Sequence, residues 1–152
     1  EDTLSLHDAL PIFGDEGSGA VLGKLLVGDI LKNQMPPELK EKFLTQFNLT
    51  PADIIDRVYR KPFPNRFLAS LSPFLAQNLD EPCIRTLVSD SFKAFLKRNV
   101  MQYENYRESK VHFIGSVAFY YKTILAEAAS EMGIRLGTVI KSPMEGLIEY
   151  HK

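Results

Sequence analysis

The stretch KVHFIGSVAFYYKTILAEAASEMGIRLGTVI (residues 110–140) changes the character of the chain and decides its fold class. Val111, Phe113 and Ile114 form a short branched and aromatic run that stops at Gly115, the pattern of a buried strand entering a tight turn. Val117, Tyr121, Ile124, Leu125, Ala128 and Met132 then share one helical face as far as Gly133, a residue suited to ending a helix. IRLGTVIKS (residues 134–142) is a second strand candidate, and SPMEGLIEYHK closes the chain with Ser142 as N-cap, Pro143 as first helical residue and Glu145 in a capping box. The order strand, helix, strand, helix predicts a βαβ unit and a parallel pair. Two parallel strands do not make a free-standing sheet, so this region is expected to belong to a larger α/β domain whose other strands are absent.

Upstream the pattern is helical. Val21, Leu22, Leu25, Leu26, Ile30 and Leu31 predict a helix from Gly19 to Met35, starting on a glycine loop and ended by Pro36-Pro37. Pro37 opens a second helix with Leu39, Phe43, Leu44 and Phe47 as its buried stripe. Thr50 is a good N-cap for a third, with Asp53 in its positively polarised first turn. After the proline-dense KPFPN, Phe67, Leu68, Leu71, Phe74 and Leu75 predict a helix kinked or restarted at Pro73. From Pro82 onward no breaker intervenes before Asn105, which predicts the longest helix of the chain.

Bulk composition narrows the classes of function. At 152 residues, 45% hydrophobic and 24% charged, the chain is one domain's worth of ordinary globular sequence. Its 18 basic and 19 acidic residues are spread along the chain, so no basic stripe supports nucleic-acid binding. Cys83 is the only cysteine, which excludes an intrachain disulfide and points to a reducing, cytoplasmic setting. The apolar runs fall far short of the ~20 residues of a bilayer span, so no membrane partner is expected.

Two loops carry candidate chemistry. GDEGSG (residues 14–19) places Gly14, Gly17 and Gly19 where a backbone must approach closely, with Asp15 and Glu16 as acceptors at a helix start. The same residues also suit a plain glycine turn whose acids cap the next helix. Gly115-Ser116, between a strand and a helix, is where open α/β sheets bind ligands, and it also suits a simple strand-to-helix turn. His112 stands alone on an apolar strand with no second ligand at metal spacing, which favours a satisfied packing or edge residue; no metal ligand is assigned.

Taken together, GDEGSGAVLG, the helical stretch, HFIGSVA and the closing SPMEGLIEYH resemble one family. The chain is similar to the C-terminal half of the BadF/BadG/BcrA/BcrD-type ATPases and N-acetylglucosamine kinases, of the actin, Hsp70 and sugar-kinase superfamily. The resemblance runs from about Gly14 to the end. It implies a helix-dominated α/β fold, a partial ribonuclease-H-like (actin-type ATPase) C-terminal domain over residues 14–152, with a helical segment at 19–104 and a βαβα unit at 110–152. It further implies ATP and magnesium as cofactors and an amino sugar such as N-acetylglucosamine as substrate. Asp15 would accept from a sugar hydroxyl, with Glu16 the weaker choice; Gly115 and Ser116 would lie against the nucleotide, and Gly19 would help wall the cleft. Homodimerisation is left open.

The family's N-terminal half carries the first phosphate loop, the general base and a second glycine-rich loop. Phosphoryl transfer depends on positioning, magnesium and that base, so the chain by itself is expected to be inactive and to contain no catalytic residue. It is also expected to be marginally stable or aggregation-prone. Two other readings are weighed: the activator ATPase of an acyl-CoA dehydratase, poorly supported by a single cysteine, and a non-catalytic interaction or regulatory module at Pro37 to Tyr103.

The family places its own strand and turn just before GDEGSG, where this chain has TLSLHDALPI (residues 3–12). That decapeptide matches one reading frame of a common short-read sequencing adapter. Residues 1–13 are accordingly expected to be a non-native leader, and His7 and Asp8 are set aside as a catalytic pair.

Overall fold

The structure, a computed structural model, describes residues 9–13, 16–61, 64–101, 104, 106–108 and 110–141. The fold is α/β and dominated by helices, as expected. It divides into two compact units, Glu16–Leu87 and the combination of Glu1–Asp15 with Val88–Lys152.

The first unit is helical. Its longest member, α1 (Glu16–Leu31), buries Leu22, Leu26 and Ile30, whereas Val21 and Leu25 of the expected stripe stay exposed. The helix begins three residues earlier than the periodicity suggests, so Gly17, Ser18 and Gly19 are helical and not a preceding loop. It also stops before Pro36-Pro37, and Asn33 follows in the left-handed conformation at φ 57°.

Helix α2 (Pro37–Phe47) buries Leu39 and Phe43 and ends on Asn48, also left-handed, whose side chain type tolerates that region. Thr50 caps α3 (Pro51–Ile55) in a reciprocal box with Asp53: the Asp53 N–H donates to the Thr50 hydroxyl and the Thr50 N–H to the Asp53 carboxylate. A π-helical turn, Asp56–Arg60, follows directly. The restart anticipated at Pro73 separates α4 (Pro64–Leu71) from α5 (Pro73–Gln77).

The aromatic core here is Phe43, Phe47 and Phe74, with the Phe43 and Phe74 rings edge-on at 5.2 Å. Asn78 is the one buried polar residue among those described, at 2% exposure. Its Nδ2 donates to the Phe74 carbonyl at 2.7 Å and its Oδ1 accepts from Lys42 Nζ at 2.6 Å, so both ends of the amide are satisfied.

Helix α6 (Pro82–Asn99) is the longest among the described residues, as anticipated, and the division between the units falls within it. In the second unit, the C-terminal part of α6 packs Phe95 against Phe113 of β2 (Lys110–Ile114) at 6.0 Å between ring centroids. After β2 the predicted single helix is two, α7 (Ser116–Tyr120) and α8 (Lys122–Glu131), broken at Tyr121. Tyr121 is buried with φ −106°, and its ring meets Phe92, so a packing demand and no helix-breaking residue sets the break. Gly133 at φ +72° ends α8 as its position suggests. The strand β3 (Arg135–Ile140) comes next, and the closing segment read as a helix lies outside the described residues.

The expectation of two strands is corrected. Ala9–Phe13 forms a strand, β1, and the sheet has three parallel strands in the order β1-β2-β3, with Ala9 opposite Lys110 and Phe13 opposite Ile114. β1 is silent in the sequence because its five residues contain Pro11 and show no alternation of their own. Its pairing is a property of distant backbone.

Candidate functional site

The turn after β2 is defined by backbone conformation. Gly115 sits at φ 152° and ψ 153°, a region open essentially to glycine alone, because a Cβ there would collide with the adjoining peptide groups. The residue is buried. Its N–H donates to the Ile140 carbonyl at 2.9 Å, and its own carbonyl accepts from the Phe119 N–H at 3.1 Å. One glycine thus joins the end of β2 to the end of β3 and to the first turn of α7. Ser116, the second expected member of this turn, begins α7.

Of the other expected residues, Glu16 and Gly19 belong to the helical unit. Glu16 is the first residue of α1, and Gly19 is a buried position one turn further on. Asp15, the expected sugar contact, lies outside the described residues together with Gly14.

Three features escape sequence reasoning. Gly23, the last residue of GDEGSGAVLG, faces the α4 backbone so closely that a Cβ would lie 2.0 Å from the Leu68 carbonyl oxygen. Asn78 is buried, and nothing in its local sequence marks it so. The β2–β3 ladder contains a bulge: Val111 faces Leu136 and Phe113 faces Val139, so His112 stands opposite two residues, Gly137 and Thr138. The imidazole fills that irregularity, its Nδ1 accepting from the Thr138 N–H at 2.9 Å. The reading of His112 as a satisfied residue agrees with this bond.

Burial raises the Asp29 carboxyl above its usual range, against the pull of Lys32. Burial first, and the neighbouring Glu81 second, push the Cys83 thiol upward, so it is not an activated nucleophile. Burial holds the His112 imidazole below its ordinary value, and Lys110 adds to the effect. Among the described residues no group of three or more His, Cys, Asp or Glu could hold a metal ion. No helix among them is long and apolar enough to cross a membrane.

The chain resembles part of a sugar kinase. Its fold matches a crystal structure described as that of a "putative N-acetylglucosamine kinase" from Porphyromonas gingivalis, with a TM-score of 0.82 and 59% sequence identity over 91% of this chain. The chain spans 48% of the length of that structure. No family model matches the chain, and no curated protein does.

Proposed function

We propose that this chain is the C-terminal part of an ATP-dependent kinase that phosphorylates an amino sugar of the N-acetylglucosamine type. The observation that carries the reading is the 59% identity to the Porphyromonas gingivalis protein, sustained over nearly the whole chain. The finer family, including the BadF/BadG/BcrA/BcrD-type ATPases, is part of the same proposal.

In this reading Gly115 and Ser116 form the nucleotide turn. The glycine-only backbone at Gly115 supports that role, since a position without a Cβ lets a flat adenine or ribose rest on the peptide plane. Gly19, buried in α1, is assigned to the nucleotide's surroundings, and Asp15 and then Glu16 accept from sugar hydroxyls. ATP with magnesium would supply the transferable phosphoryl group and neutralise its charge. The described residues offer no cluster fit to hold the magnesium ion alone. By the family resemblance, its ligands and the base that takes the sugar proton are assigned to the half of the relative's length that this chain does not span. The chain alone would not catalyse the transfer.

Calorimetry tests the reading. The full-length protein should bind a non-hydrolysable ATP analogue and N-acetylglucosamine, and should release ADP only when the sugar is present. Asp15→Ala should raise the KM for sugar, and Gly115→Ala should weaken nucleotide binding while leaving sugar binding in place. Absence of binding to either ligand would overturn the proposal. Sugar-independent phosphate release indifferent to Asp15→Ala would replace the kinase with an ATPase.

A further inference from the structure

The β2–β3 bulge leaves one backbone amide to a side chain. Opposite the two residues Gly137 and Thr138, β2 offers only His112, and the Thr138 N–H is taken by the imidazole Nδ1 at 2.9 Å. To accept, Nδ1 must carry no proton, which fixes the neutral tautomer with its hydrogen on Nε2. The ring lies against the α-carbon of Gly137, where a Cβ would come within 2.6 Å of Cε1 and 2.8 Å of Nδ1. Bulge, glycine and imidazole therefore fit as a set.

Beyond the bulge the ladder recovers. Regular pairing resumes at Phe113 with Val139 and Ile114 with Ile140, and the Ile140 carbonyl then accepts from the Gly115 N–H. The imidazole is the bond that brings β3 back into register before those last rungs.

We propose that His112 is a proton-operated latch of the sheet: neutral, it closes the β2–β3 bulge; protonated, it releases Thr138 and loosens the rungs that seat Gly115. In the imidazolium both ring nitrogens are donors, so Nδ1–H would point at Thr138 N–H, donor against donor. The surroundings offer the cation little compensation. On the strands the charged groups beside it are Lys110 and Arg135, placed opposite each other, and β1 contributes Pro11 at the position facing His112. On α8, packed against β3, Glu131 is paired with Lys93 of α6 at 2.6 Å and Lys122 lies over the Phe119 ring, while Glu127 has interactions of its own. Of all these, Lys110 is the group whose charge bears on the imidazole, and it opposes protonation.

Proton affinity in the two states sets the sign of the pH effect. The folded state holds His112 below its ordinary value of 6.5, so the unfolded state takes the proton more readily. The latch contributes stability above that value and loses it as the pH falls through 6.5 toward the folded-state midpoint. The latch is independent of the kinase reading.

Amide hydrogen exchange on the full chain, compared at mildly acidic and mildly alkaline pH and corrected for intrinsic rates, tests it. Protection at Thr138 and Gly115 should be lost progressively as the pH falls through 6.5. The Leu125 amide, bonded to the Tyr121 carbonyl at 2.9 Å within the same unit, should not change. His112→Asn keeps an acceptor near Nδ1 and removes the titration, so it should retain protection and lose the pH dependence. Nitrogen NMR of the wild-type ring should show the Nε2–H tautomer at neutral pH. An Nδ1–H tautomer, or an unchanged pH dependence in His112→Asn, would overturn the proposal. Failure of nucleotide binding in the kinase assay would leave it intact.

Discussion

Two glycines of the same helix should respond in opposite ways to the same substitution. Gly23 and Gly28 both lie inside α1, where alanine is intrinsically favoured over glycine by about 1 kcal/mol. At Gly28 the added Cβ meets nothing within 4 Å, so Gly28→Ala should stabilise the chain by about 0.5–1 kcal/mol. At Gly23 the Cβ would stand 2.0 Å from the Leu68 oxygen, 2.6 Å from its carbonyl carbon and 3.1 Å from its α-carbon. Contacts of this kind relax to about 3.5 Å, so α1 and α4 would have to part by roughly 1.5 Å. The obstacle is helix backbone with no rotamer to escape into, which puts the overpacking cost at the upper end of its usual range, about 3 kcal/mol. After the gain in helix propensity, Gly23→Ala should destabilise by about 2 kcal/mol. Urea unfolding followed by circular dichroism reads both variants against the parent chain. The two variants should differ by about 3 kcal/mol, or roughly 6–12 °C in Tm for a chain of this size. If Gly23→Ala proved as stable as Gly28→Ala, the close approach of α1 to α4 would not exist.

Asn78→Ala removes a bond to the Phe74 carbonyl and one from Lys42 in a position with 2% exposure. The expected cost is about 1.5–3 kcal/mol, seen as a lower urea midpoint at unchanged slope, and a shift below about 0.5 kcal/mol would contradict the burial. The raised thiol of Cys83 should react with a disulfide reagent more slowly than glutathione at mildly alkaline pH; a faster reaction would refute the stated environment. Amplification of source DNA across the start of the coding sequence should read GDEGSG in frame behind residues other than TLSLHDALPI. Recovery of the adapter codons from genomic DNA would make residues 3–12 native.

Much of the architecture is legible in the sequence because its signals are local. Proline starts at Pro37, Pro51, Pro73 and Pro82 and the left-handed stop at Gly133 all mark elements that the structure contains. The strand, helix, strand order after Lys110 is likewise written in neighbouring residues. The features that escape depend on partners far along the chain. Tyr121 breaks a helix because Phe92 and its surroundings claim the ring, and nothing in SVAFYYKTIL announces this. Gly23 falls inside the predicted helix without any sign of its role until Leu68 is placed beside it. At the candidate site, Gly115 stands out by its position after a strand, and its torsion angles explain why the residue is glycine. His112 reads as a packing or edge residue, but its bond to Thr138 requires a bulge that periodicity does not encode.

The strand order also sets a timetable. β2 and β3 are joined by about twenty residues, from Ile114 to Arg135, whereas β1 and β2 are separated by roughly a hundred, from Phe13 to Lys110. Closing the longer loop costs about 1.4 kcal/mol more in chain entropy, and the whole helical unit lies inside it. The C-terminal pair should therefore form first, with β1 docking afterwards on a free edge of β2. Until that docking, the edge of β2 that takes β1 stays open.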